Sequence, residues 1–137
     1  MKVFIVSMMT ICVLTACTST ELKQHNQTQK MLNAECRVNP DIQRNAIPQT
    51  PNNISLPAFG QGIIGWETGE EGAKQRLNTI QQQDVQKIQA QGVTLDMVKE
   101  WQAFYENEVQ RNSCNPTAPY RAALMKKIAM LWSTTSQ

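Results

Sequence analysis

A chain of 137 residues carrying 13 Lys and Arg against 11 Asp and Glu has a formal charge of +2 and the length of one small domain. Its basic residues are scattered and form no stripe of the kind a nucleic-acid footprint requires, so no nucleic acid is expected as a partner. The single histidine, His25, sits in a polar stretch near the N-terminus, which leaves the remainder without a Ser-His or Cys-His nucleophile pair or a usual His-containing zinc site.

Met1 and Lys2 precede a mostly apolar run, Val3 to Leu14, interrupted by Ser7 and Thr10. A helix of that length is too short for about 30 Å of hydrocarbon, and a charged start followed by a short apolar core is the pattern of a secretory signal. The run ends in Leu14-Thr15-Ala16-Cys17, which resembles the lipobox of bacterial lipoproteins. That resemblance implies removal of residues 1–16 and attachment of diacylglycerol and an N-acyl chain (palmitate chemistry) to Cys17. Several chains make the anchor stable, because each buried CH₂ contributes about 0.8 kcal/mol. The next residue is Thr18, where an Asp is typical of retention at the inner membrane. By the sorting pattern of Gram-negative lipoproteins, the expected place is the outer membrane, facing the periplasm.

Processing would leave about 120 residues. Of the four cysteines, Cys12 departs with the signal and Cys17 carries lipid, so Cys36 and Cys114 remain as a pair in an oxidising compartment. They are expected to form a disulfide, and no metal or cofactor is expected.

Residues 17–35 are rich in Gln, Thr, Asn, Lys and Glu, with too little apolar surface to offset ordering entropy, and read as a lipidated flexible tether. Residues 36–57 contain Pro40, Pro48, Pro51 and Pro57 and read as an extended arm, because proline fixes φ and removes a donor. Val38, Ile42, Ile47, Ile54 and Leu56 are its expected contacts with the core.

A helical domain is expected over 58–133, beginning with a stretch from Phe59 to Gly72 that holds five of the six glycines. Gly60-Gln61-Gly62-Ile63-Ile64-Gly65 matches G-x-G-x-x-G, but prolines precede it and no strand–helix alternation follows. The dinucleotide reading fails on that context. The glycines are expected to allow positive φ and close packing instead. Thr68 and Glu71 have the spacing of a capping box, which predicts a helix from Gly69 through Ala73, Leu77 and Ile80. A second helix is expected over Gln82 to Ala90 with Gly92 as its stop, and Thr94 caps the longest, Leu95 to about Asn112. Met97, Val98, Trp101, Phe104, Tyr105 and Val109 make its apolar face, read as core. Asn112 to Pro116 is a turn, and Thr117 opens the last helix. Tyr120, Ala123, Leu124, Ile128, Leu131 and Trp132 face inward on it, with Arg121, Lys126 and Lys127 outward. The expected fold is all-α, a small bundle of three to four helices with a glycine-rich loop and a proline-rich arm.

Two blocks carry a wider resemblance. Phe59-Gly60-x-Gly62-x-x-Gly65-Trp66-x-Thr68-Gly69-x-Glu71-Gly72-Ala73 is one. The other is Trp101-x-x-Phe104-Tyr105-x-Asn107-Glu108-x-x-Arg111-Asn112 with Asn115-Pro116-x-Ala118-x-x-Arg121-Ala122-x-Leu124-Met125. Over residues 58 to 132 they resemble an uncharacterised bacterial domain found in small lipoproteins and in secreted, toxin-like proteins. The resemblance supports the fold, carries no activity, and does not itself imply the disulfide.

Three function classes stand. The first is a non-enzymatic lipoprotein, anchored in the membrane, that binds an envelope protein or peptidoglycan. The second is a peptidoglycan-acting enzyme using carboxylates, since glycan cleavage needs only those. Glu67, Glu70 and Glu71 lie beside Trp66, and Glu67-Thr68-Gly69 is faintly similar to the Glu-Ser motif of lytic transglycosylases. Glu71 has a sufficient task as a cap, and acidic residues suit a helix's first turn in any case. The third is an accessory or inhibitor of a toxin system, with a surface groove at Trp66, Glu67, Glu71, Tyr105, Glu108 and Arg121. The first is preferred.

Overall fold

The computed structural model describes residues 36–133; the expected signal peptide, Cys17 and the tether lie outside the described residues. Among the described residues four α-helices follow one another, α1 (Gly69–Thr79), α2 (Gln82–Ala90), α3 (Leu95–Arg111) and α4 (Ala118–Ser133), so the all-α expectation holds. Among the described residues there is no strand, only an isolated antiparallel bridge between Val38 and Asn112.

The last helix is the element on which the others rest, and α1, α2 and α3 each pack against it. The reason is its composition. Ala118, Ala122, Leu124, Met125 and Ile128 are buried, and Tyr120, Ala129, Leu131 and Trp132 pack partly against the same core. A helix apolar on nearly every side has to be surrounded. Polar ties fix the neighbours: Lys127 Nζ donates to the Leu77 carbonyl at the end of α1 (2.9 Å), and Gln82 Nε2 donates to the Leu131 carbonyl (2.9 Å). Lys127 is therefore half-buried and engaged, not outward as expected.

Helix α3 supplies the aromatic centre. Thr94 caps it as predicted, its Oγ1 accepting from Met97 N–H at 3.2 Å. Trp101, Phe104 and Tyr105 are buried together with Phe59 and Trp66, the rings of Phe59 and Trp101 stacking at 5.3 Å and Trp66 meeting Tyr105 edge-on at 5.5 Å. Such pairs add about 0.5–1.5 kcal/mol each beyond the area they bury. The stripe departs from expectation at its C-terminal end. Val109 is exposed, and Glu108, one position earlier, faces inward.

The stretch expected to be a loop is helical in a wide form. Residues 58–64 wind with i→i+5 spacing, Gly65 N–H donating to the Gly60 carbonyl at 2.8 Å. Gly65 ends the turn in the left-handed region at φ +80°, and Arg76 Nε donates to the last carbonyl, that of Ile64, at 2.8 Å. Gly60 is required for a different reason: a Cβ there would fall 2.2 Å from the Trp66 indole nitrogen. The chain thus folds Trp66 back onto a bare backbone.

The expected cap of α1 is not formed. The helix begins at Gly69, but Thr68 makes no side-chain bond to it. The reach-back bond occurs one helix later, where Asp84 Oδ2 accepts from Gln81 N–H at 3.0 Å while also facing Arg76 at 3.4 Å. Asn115, not Thr117, organises the start of α4, its Oδ1 accepting from both Thr117 N–H (3.2 Å) and Oγ1–H (2.7 Å).

The arm lies along α3 in the opposite direction, held by polar groups. The Arg37 carbonyl accepts from Ser113 N–H (3.1 Å) and the Arg111 carbonyl from Asn39 N–H (2.7 Å). Asn107 acts as a piece of backbone, accepting from Asn45 N–H at 2.9 Å and donating to the Gln43 carbonyl at 3.1 Å. The buried Trp101 indole donates to the Gln49 carbonyl at 3.1 Å. Cys36 and Cys114 form the disulfide that ties the arm's start to the α3–α4 turn. Of the apolar residues expected to reach the core, Ile54 packs against it, but Val38, Ile47 and Leu56 are exposed.

Candidate binding groove

Along α3, Trp101, Phe104, Tyr105 and Glu108 stand at i, i+3, i+4 and i+7 and so share a face. Glu108 is only 3% exposed, and a carboxylate there needs partners. Arg44 Nε from the arm reaches Oε1 at 3.1 Å, and Arg111, one turn on, donates through Nε to Oε1 (3.0 Å) and through Nη2 to Oε2 (3.3 Å). The Arg111 hydrogen bond first, then the charges of Arg44 and Arg111, outweigh burial and hold the carboxyl below its ordinary proton affinity.

Arg121 projects from α4 onto the same face. Its guanidinium carbon lies 4.7 Å from the Trp66 ring centre and 5.6 Å from that of Tyr105. The only hydrogen bond the guanidinium makes among the described residues is a long one, Nη1 to the Tyr105 hydroxyl at 3.4 Å, and its Nε is buried with no hydrogen-bond partner. Burial pushes the Tyr105 phenol above its ordinary value, and the neighbouring Arg121 charge offsets part of that.

Two hollows of about 180 Å³ each open over these groups. One is lined by Leu56, Pro57, Gln61, Trp66, Tyr105 and Arg121. The other extends from Leu56, Tyr105 and Arg121 past Trp101 and Phe104 to Ile47, Arg44, Glu108 and Asn115. The exposed side chains of Ile47 and Leu56 form an apolar rim above a charged floor. A broader hollow of about 580 Å³ lies between residues 45–49 and α3, but Glu100 is its one charged lining residue.

Of the six residues expected to form a groove, the structure gathers Trp66, Tyr105, Glu108 and Arg121. The first three are buried floor and not exposed surface, and Arg121 is half-buried on aromatic rings and not a solvated outward charge. Glu67 and Glu71 line neither hollow. Both are exposed, as is Glu70. Glu67 borders a separate hollow of about 200 Å³ with Gly65, Gly72, Gln75, Arg76 and Thr79, and its backbone is left-handed at φ +45°. Sequence reasoning missed Arg44, Ile47 and Leu56 as groove residues. A signal for Arg44 was present, since a glutamate on an apolar helical stripe demands a cation from some other segment. Among the described residues no group of three or more His, Cys, Asp or Glu is gathered to hold a metal.

The geometry can now be set beside known proteins. Residues 34–132 match a domain of unknown function, DUF4951. The chain belongs to that family. The matched span takes in the arm as well as the helices. A solved structure, the NMR structure of a protein from Acinetobacter baumannii, is similar at 59% identity with a TM-score of 0.61, over 73% of this chain and 95% of that one. No curated protein matches.

Proposed function

We propose that this DUF4951 protein is a lipoprotein anchored through Cys17 in the outer membrane, whose domain binds an envelope partner in the groove above Arg121 and performs no chemistry of its own. The observation that carries the binding role is the pairing of an exposed apolar rim, Ile47 and Leu56, with the Arg121 guanidinium, which has no carboxylate partner among the described residues. Apolar surface with a few convergent polar groups is the ordinary anatomy of a recognition site. The Leu14-Thr15-Ala16-Cys17 motif supports the anchor and the periplasmic side.

A photo-crosslinking residue at Leu56 tests the reading in living cells, with one at Met130, exposed on α4, as control. The expected result is a discrete adduct from position 56, absent from 130, with an envelope component identified in it. Equal labelling from both positions would remove the groove from the function.

The enzyme reading keeps one observation in its favour, the left-handed Glu67 beside its own hollow, since backbone strain gathers at active sites. Against it, a general-acid carboxylate needs a poorly solvated site, and Glu67, Glu70 and Glu71 are all exposed. Purified sacculi incubated with residues 18–137 decide between the two. Muropeptide release that Glu67→Gln abolishes would establish an enzyme, and no release is expected.

A further inference from the structure

We propose that the groove recognises the free C-terminal carboxylate of a peptide whose last side chain is apolar, with Arg121 as the carboxylate-binding residue. The inference rests on the binding role proposed above and adds the chemistry of the ligand.

The charge of the site comes first. Arg44 and Arg111 pair with one carboxylate, Glu108, and Arg121 lines the same hollow as Arg44 and Glu108, so three cations stand near one anion, an excess of about two positive charges. Arg44 and Arg111 are both spent on Glu108, and Arg121 is not. The Arg121 Nε is sealed without a partner, so a ligand is met through the outer nitrogens of the guanidinium, whose one hydrogen bond among the described residues is the long one from Nη1 to the Tyr105 hydroxyl. The Trp66 and Tyr105 faces stabilise the charge of Arg121 without satisfying its N–H groups. They also hold the planar fork in place. A pre-positioned guanidinium suits a carboxylate, which it meets with two parallel hydrogen bonds.

The apolar half of the site separates a peptide end from a free ion. A hollow of about 180 Å³ flanked by Leu56 is close to the size that, as a cavity of about 150 Å³, takes up a benzene ring. It therefore has room for one aliphatic or aromatic side chain next to the guanidinium. Gln61, exposed on the same hollow, offers an amide that can donate to or accept from a peptide main chain. Inorganic phosphate would use the charge and leave the rim wet. A C-terminal residue uses both.

The test uses residues 18–137, which contain the whole described domain. The probes are a pool of N-acetylated tripeptides ending in Leu, Ile, Val, Phe or Ala with free carboxylates, the same pool as C-terminal amides, and sodium acetate alone. Retention on the immobilised protein is read by mass spectrometry, and the Trp66 and Trp101 indole N–H resonances report the site and the fold. The acid pool should be retained about tenfold or more over the amide pool, the size of one charge-assisted hydrogen-bond pair. It should shift Trp66, whose ring carries Arg121. Arg121→Gln should bring the ratio to about one, and Arg121→Lys, which keeps charge without the fork, should leave only part of it. If Arg121→Gln does not fold, the exposed pair Ile47→Ser and Leu56→Ser carries the test and should weaken both pools.

Equal retention of acid and amide, retention of neither, or a Trp66 shift by acetate as large as that by the peptides would overturn the proposal. A groove crosslink in cells without acid preference would sink the carboxylate and leave the interaction role standing. Acid preference without any crosslink would keep the carboxylate chemistry and remove the envelope partner.

Discussion

Residues 36–57 and residues 58–72 both lie against α3, and they are held there by different physics. The arm is fastened by main-chain and amide hydrogen bonds along Asn107, Ser113 and Arg111, while Val38, Ile47 and Leu56 stay exposed. The glycine-rich turn is fastened by shape: Phe59, Ile64 and Trp66 are buried, and Trp66 lies on the bare backbone of Gly60. One is a strap and the other is part of the core. The groove opens at their seam, Leu56-Pro57, where a polar attachment gives way to an apolar one and some apolar surface is left uncovered.

The largest effect that separates the two is loss of the disulfide. Joining Cys36 to Cys114, 78 residues apart, removes about 4 kcal/mol of unfolded-state entropy in the chain-entropy account. Cys36→Ser with Cys114→Ser should lower the thermal midpoint strongly. Amide exchange should then quicken first at Asn39 and Asn45, whose N–H groups bond to α3, and later in α4. Uniform acceleration across arm and helices would mean that the arm is core after all.

Next in size is Gly60→Ala. The added Cβ meets the Trp66 indole at 2.2 to 2.6 Å, and the ring is wedged among Phe59, Trp101 and Tyr105 and has nowhere to move. Overpacking of this kind costs about 3 kcal/mol. Here the helices and the arm should be lost together in one transition, seen by circular dichroism and by Trp fluorescence alike.

Glu108 marks where arm and core meet, and acid is its probe. Its folded carboxyl binds a proton less readily than the ordinary 4.5, so the unfolded chain takes the proton first. The stability it contributes is fully present above that value and is lost as pH falls through the lower folded one. Glu108→Gln should cost about 2 kcal/mol at neutral pH, because Arg44 and Arg111 lose their counter-charge, and should flatten the acid side of the stability profile. Denaturant midpoints from about pH 6 to about pH 3 measure both. An unchanged acid limb would place the titrating group elsewhere.

These residues also show how far the chain could be read in advance. The helices were legible because local rules decide them: the apolar period of α3 as far as Tyr105, Thr94 as its cap and Gly92 (φ +84°) after α2 hold, while Val109 turns out exposed. The arm was read by composition as extended, but its isoleucine, valine and leucine side chains pointed to apolar docking. Asparagine amides standing in for backbone leave no periodic trace. The same limit hid the groove. Arg121 looked like a solvated charge on α4 because the rings beneath it come from Tyr105 on α3 and from Trp66, the latter placed by a wide turn that spacing alone did not reveal. Glu108 could have been placed, since an acidic residue on an aromatic stripe has to find cations.

The smallest expected effect is the sharpest check on the glycine-rich turn as a shape-held element. Thr68 and Glu71 have the spacing of a capping box, yet Thr68 bonds to no helix N–H, and Gly69 enters α1 at φ +80°. The path into α1 is set instead by the turn before it, where Arg76 reaches back to the Ile64 carbonyl at 2.8 Å and Trp66 is pinned in the core. Thr68→Ala should therefore change stability by less than about 0.5 kcal/mol, as an exposed substitution with no partner does. Thr94→Ala, which removes a formed cap at 3.2 Å, should cost about 1 kcal/mol. Measured side by side by urea denaturation, the two threonines weigh sequence spacing against geometry. Equal losses would mean that Thr68 caps α1 in solution, and the turn would then be held by local hydrogen bonding as well as by its fit around Trp66.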